Sequence, residues 1–192
     1  MEAAGIKTLA TKEPGGTEIG DEVRSVLLDM RNTTMHARTE VLLFQASRAQ
    51  LVEQILKPNL EEGNWVLLDR FFDSTLAYQG FGHGQDLSVL RDIIEYATDG
   101  LKPDLTLLLD VDVQTGLRRK KSQEEWNRLD AMDLAFHQRV AAGYKSLAAD
   151  EPDRWRVVDA NKSITEVEEQ IKGTVTDFFG LKAVGVLGIN VR

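Results

Sequence analysis

The sequence predicts an α/β fold, a parallel sheet covered by helices on both faces. Three observations carry that prediction. Short apolar runs, WVLLD at 65–69 and LTLLLDV at 105–111 among them, read as strands buried on both sides. The stretches between such runs place apolar residues three and four apart, the spacing of helices lying on a core. Alternation of the two patterns is what parallel βαβ units produce. No internal repeat, low-complexity tract or linker interrupts it, so the expected organisation is one domain over 1–180 with an apolar tail, 181–192.

Residues 6–11 form the first predicted strand, closed by the turn Glu13-Pro14-Gly15-Gly16. A helix is expected over 17–29, with Val23, Val26, Leu27 and Met30 on one face. A longer helix follows over 38–60, and Pro58 should end or kink it, since proline supplies no amide hydrogen. Gly63-Asn64 turns the chain into strand 65–69. Short helices are read at 74–79 and 87–97, the second with Asp86 as candidate N-cap. Pro103-Asp104 introduces the central strand 105–111. The next long helix carries Leu129, Met132, Phe136, Val140, Tyr144 and Leu147, read as core rather than as ligand contacts. A strand over 156–159 and a helix over 164–178 complete the order. Residues 1–5 read as the last turn of a helix closed by a C′ glycine. One turn is not stable alone, because nucleation is costly, so an element is expected to precede it and Met1 to have once been internal.

Composition narrows the function. The chain has 192 residues, 42% hydrophobic and 28% charged, enough for one globular domain with a real core. Its formal net charge of -8 argues against non-specific nucleic-acid binding, which needs a surplus of Lys and Arg. Any phosphate it handles should belong to a small ligand met by a local basic cluster. The absence of cysteine excludes disulfides, thiolate catalysis and cysteine zinc sites. His36, His83 and His137 lack ligand spacing and read as surface or packing residues. No segment approaches the ~18 apolar residues of a membrane span, and the N-terminus has no apolar signal region, so no membrane role and a cytoplasmic location are expected.

Single motifs leave the chemistry open. EPGG alone is a tight turn. Asp69-Arg70 after a buried strand is either a helix cap or a ligand site, since open α/β sheets bind ligands at the carboxyl ends of their strands. The ordered set is more specific: KEPGGTEIGDEVR (12–24), FQASR (44–48), DRFFDSTLAYQG (69–80), PDLTLLLDVD (103–112), a basic segment near 120, and VVDANKSITEV (157–167). Together these resemble the bacterial thymidylate kinases over nearly the whole chain. The resemblance implies a P-loop nucleoside monophosphate kinase-like fold. It further implies transfer of the ATP γ-phosphoryl group to dTMP with Mg2+, and a homodimer.

The same resemblance distributes roles. It assigns Arg70 to the dTMP phosphate, a task suited to the guanidinium fork. Arg48 is assigned to the pyrimidine carbonyl, and Phe44, four residues earlier on the same helix face, to stacking on thymine. Asp69 is the candidate magnesium carboxylate, or else a partner for a neighbouring arginine. Ser74, Thr75, Tyr78 and Gln79 would line the thymine and deoxyribose pocket, with Tyr78 beneath the sugar. Glu13 precedes a proline that is commonly cis in the family. Family members commonly carry arginine where this chain has Lys12, so no role transfers to it. The basic cluster Arg118, Arg119, Lys120 and Lys121, with Arg128 beyond, reads alone as a solvated helix face. By resemblance it is a lid, about 118–130, closing over the ATP phosphates, with Arg119 and Arg128 as candidate catalytic arginines. The turn Asp159-Ala160-Asn161 resembles the adenine-binding loop.

One departure is large. No G-x-x-x-x-G-K-[ST] motif occurs in the chain. The resemblance therefore implies a missing strand and phosphate loop, with neighbouring strands left unpaired. The tail 183–191 has strand-like residues; it could fill a vacant strand position, though a disordered or interface segment is the preferred reading. The alternatives to a working kinase are a fragment that only binds dTMP, or a kinase for a related deoxynucleotide such as dUMP.

Overall fold

The computed structural model describes residues 6–121 and 126–180, and the backbone of 186–191. Its sheet has five strands: β1 (Thr8–Lys12), β2 (Trp65–Asp69), β3 (Leu105–Asp110), β4 (Trp155–Asp159) and β5 (Val186–Val191). They lie in the order β1-β2-β5-β3-β4, and every pairing is parallel. Helices α1 (Glu18–Leu28), α2 (Ala37–Leu51), α3 (Lys57–Glu61), α4 (Phe72–Thr75), α5 (Leu87–Thr98), α6 (Val113–Lys121), α7 (Leu134–Asp150) and α8 (Ile164–Phe179) connect and cover them.

The two-sided burial follows from the alternation of side chains along each strand. Val66 and Leu68 of β2 and Leu108 of β3 pack with α2, α5 and α7 in the larger core. Leu67 of β2 and Leu105 and Leu107 of β3 face the other way, onto Ile171, Val175, Phe178 and Phe179 of α8. Trp65 joins that second layer, its ring 4.5 Å from that of Phe179.

Local signals fix the helix starts. Thr17 caps α1 by accepting from the Gly20 amide, Asp86 caps α5 from Ser88 and Val89, and Ser163 and Glu166 form a reciprocal capping box on α8. Four expectations change. The chain stays helical past Pro58 as far as Glu61, because a wide π-helical turn (Val52–Leu56) precedes α3 and leaves Pro58 in its first turn. The short helix expected at 74–79 is α4 followed by a second π-helical segment, Leu76–Gly82. Leu129 and Met132 lie ahead of α7, which starts only where Asp133 accepts from the Phe136 amide. The tail differs most. The backbone of Val186–Val191 stands as β5 between β2 and β3, so those strands are paired there, contrary to the preferred reading of a disordered or interface segment. The helical turn read at 1–5 and the tail residues 183–185 lie outside the described residues.

Candidate active site

At the carboxyl ends of β1, β2 and β3 the sheet opens into a cleft of about 640 Å³. Its first wall is the turn after β1. Glu13-Pro14 is a cis peptide, and Gly15 and Gly16 have φ of 117° and 83°, values that favour glycine. At Gly16 a Cβ would stand 2.5 Å from Thr11 Oγ1 and 2.9 Å from Leu51 Cδ1, so no larger residue fits. Three hydrogen bonds fix the turn: Glu13 N–H to the Asp69 carbonyl (3.0 Å), Gly15 N–H to Ser47 Oγ (3.0 Å) and Arg24 Nη1 to the Pro14 carbonyl (2.9 Å).

That turn presents Glu13 to Arg48, an arginine only 1% exposed. Arg48 donates through Nε and Nη2 to the Glu13 carboxylate (2.9 and 2.6 Å) and through Nη1 to Gln45 Oε1 (2.7 Å) and Thr75 Oγ1 (3.1 Å). These contacts occupy four of the five guanidinium hydrogens and leave one Nη2 hydrogen for a ligand. Burial pushes the Glu13 carboxyl up, and the Arg48 guanidinium opposes it with the smaller effect.

The second wall rises from the end of β2. Arg70 has φ 66°, the left-handed region that residues other than glycine rarely enter, and strain of this kind recurs at ligand sites. Its guanidinium lies 5.2 Å above the Tyr78 ring. Phe136 and Tyr144 hold Tyr78 in turn, with ring centroids at 6.0 and 6.4 Å. The Tyr144 hydroxyl meets Ser74 Oγ at 2.8 Å, and burial pushes its titration up, so it stays a neutral hydrogen-bonding group. Asp69, at the exposed end of β2, completes this wall.

Opposite stands the basic helix α6. Arg119 and Lys120 line the cleft, and Arg119 Nη1 donates to the Ala160 carbonyl at 2.8 Å. Ala160 follows β4 and extends the ladder by donating to the Asp110 carbonyl (2.8 Å). Asp159 accepts from the Asn161 amide (3.0 Å), closing the turn.

The structure thus brings together Glu13, Phe44, Arg48, Asp69, Arg70, Ser74, Thr75, Tyr78, Gln79, Arg119 and Ala160 around one cleft. Four residues given site roles from the sequence do not line it, nor does Lys121 of the basic cluster. Arg118 turns to Thr115 Oγ1 (3.3 Å) on the exposed side of α6. Asp159 is engaged with Asn161, and Asn161 faces a neighbouring depression beside Asp112. Arg128 is drawn away from the cleft onto the buried carboxylate of Glu40 and the Leu27 carbonyl. Of the lid, 122–125 lie outside the described residues.

Sequence reasoning missed several lining residues. Lys12 and Arg24 add positive charge beside the turn, and their place in KEPGGTEIGDEVR was the available signal. His137, read as a surface or packing residue, lines the cleft from α7, and burial pulls its imidazole below the usual range. Nothing in the spacing of the histidines announced it.

Comparison with known proteins agrees with this geometry. A family model described as thymidylate kinase matches residues 1–171. The thymidylate kinase of Roseiflexus castenholzii is 49% identical over 183 residues, covering 88% of this chain and 80% of the relative. That of Roseiflexus sp. is 47% identical, covering 93% and 84%, and that of Herpetosiphon aurantiacus 43%, covering 89% and 83%. With a cleft built from the residues that these motifs contribute, and matches along most of its length, the chain belongs to the thymidylate kinase family.

Proposed function

We propose that this chain transfers the γ-phosphoryl group of ATP to the phosphate of dTMP, giving dTDP and ADP. The observation that carries the reading is the convergence of Phe44, Arg48, Arg70, Tyr78 and Gln79 on one cleft that also receives Arg119. A dTMP phosphate oxygen forms the new bond to γ-phosphorus while the bond from γ-phosphorus to the β-phosphate oxygen breaks. A phosphate monoester dianion needs no general base, so the protein contributes position and charge neutralisation.

Arg70 holds the dTMP phosphate, and the free Arg48 hydrogen addresses the base edge beside Phe44. Tyr78, braced by Phe136 and Tyr144, packs beneath the sugar, where a 2′-hydroxyl would be crowded. Arg119 and Lys120 neutralise the transferring phosphate from the lid side. Magnesium fits the donor set: the described residues contain no group of three acidic or histidine ligands, but Mg2+ needs only one or two carboxylates besides phosphate and water. Asp69 is the carboxylate that would hold it, and the ion would offset phosphate negative charge when bound.

A homodimer in the cytoplasm completes the reading. Ile19 and Val26 on α1, Leu42 on α2 and Val89 on α5 are large apolar side chains left about half exposed, which a helix-to-helix dimer would cover. No helix among the described residues is long and apolar enough to cross a membrane. A substrate panel with magnesium ATP tests the acceptor: dTMP should be preferred over dUMP and over the ribonucleotide of thymine. Equal rates with dUMP would refute the base assignment, and equal rates with the ribonucleotide would refute the role of Tyr78.

A further inference from the structure

Glu40 is a buried carboxylate that phosphoryl transfer, as described, does not use. It lies in the first turn of α2 and is 1% exposed. An unpaired charge in such a place is costly, so its partners are informative. Arg128 Nη2 donates to Oε2, Gln79 Nε2 donates to Oε1 at 2.8 Å, and His83 Nε2 lies 3.3 Å from Oε1.

Arg128 is itself held on a second side. Its Nε donates to the Leu27 carbonyl at 3.2 Å and its backbone N–H points to that of Leu28 at 3.5 Å. Leu27 and Leu28 end α1, where helical carbonyls lack intrahelical partners and a cation is favoured. Arg128 belongs to the segment 126–130 that returns from the basic helix α6. Its neighbours Asn127 and Asp130 line the cleft, as does Gln79 from the acceptor wall. One carboxylate therefore joins the acceptor wall to the returning arm of the lid.

Building on the kinase reading of the cleft, we propose that Glu40 is a positioning residue for phosphoryl transfer, fixing the lid arm through Arg128 relative to Gln79. Arg128 is then an anchor rather than a neutraliser of the transferring phosphate. Arg119 remains on the cleft side of the lid.

The test uses the whole chain with Glu40→Gln, Arg128→Met and the double variant. Glutamine keeps an oxygen for Gln79 but removes the charge that holds Arg128. Glu40→Gln should lower kcat about tenfold while the KM for dTMP moves less than about threefold. The double variant should be no worse than the poorer single variant, the mark of two residues acting as one unit. A readout free of activity is tryptic cleavage in the basic run 118–121, which should quicken in Glu40→Gln. Should that variant not fold, Glu40→Leu with Arg128→Met replaces both charges by apolar groups and is read in the same two ways. Unchanged kcat with unchanged cleavage, or effects that multiply in the double variant, would overturn the proposal. Faster cleavage in a chain whose parent transfers no phosphate would support the anchor and refute the kinase reading.

Discussion

Replacing Arg48 by methionine removes the guanidinium and keeps much of the side-chain volume, so the change isolates charge from packing. In the parent, Arg48 and Glu13 side chains are 1% and 3% exposed and meet at 2.6 Å. The variant leaves the Glu13 carboxylate buried without its cation, and Gln45 and Thr75 each lose a donor. Breaking a buried pair by removing one partner costs about 3–5 kcal/mol. A chain of this length loses about 2–4 °C of Tm per kcal/mol, so the melt should fall by about 6–20 °C. Urea unfolding followed by circular dichroism gives the free energy directly. Adding Glu13→Gln should recover part of the loss, because the uncompensated charge goes with it. Saturating dTMP should raise the parent's Tm, and the same dTMP concentration should raise that of the variant less, since Arg48 also faces the base. An Arg48→Met variant within about 1 kcal/mol of the parent would refute the claim that this pair holds the acceptor wall.

Arg70→Ala should weaken dTMP binding by about 1.5–3 kcal/mol, roughly 10- to 100-fold, measured by calorimetry, because hydrogen bonds to a charged phosphate are lost. Gly82→Ala should cost about 1–3 kcal/mol in urea unfolding, since its Cβ would stand 2.7 Å from Phe136 and 2.9 Å from Val140. The Glu40 carboxyl gives a pH prediction. Burial would raise its titration, but the hydrogen bonds from Gln79 and Arg128, with the His83 ring nitrogen 3.3 Å away, outweigh burial and hold the carboxyl below its usual range. A carboxyl depressed in the folded state contributes fully above its unfolded value and loses that contribution as pH falls through the folded one. The stability gap between the parent and Glu40→Gln should therefore close on acidification below about pH 4.5, followed by urea unfolding across pH.

How much of this was legible depended on distance along the chain. The strands at 65–69 and 105–110 could be read because each is a continuous apolar run, and the start of α5 because Asp86 caps it within three residues. The cleft residues came from short contiguous motifs whose side chains the strand ends gather. Non-local pairings were invisible. The ion pair of Arg128 could not be read, because nothing near it in sequence signals a carboxylate 88 residues away. The tail carried strand residues, but its place between β2 and β3 depends on partners about a hundred and twenty and about eighty positions before it. Pro58 misled because the proline rule holds for an unbroken α-helix, and the wide turn at Val52–Leu56 changes the register of its hydrogen bonds.

Phosphoryl transfer to dTMP is best tested by 31P NMR of the folded 192-residue chain with dTMP and magnesium ATP. dTDP and ADP should accumulate one for one, and Arg70→Ala should slow their appearance. Folded protein that shifts its melt with dTMP yet forms no dTDP would contradict the claim and leave a dTMP-binding protein in its place.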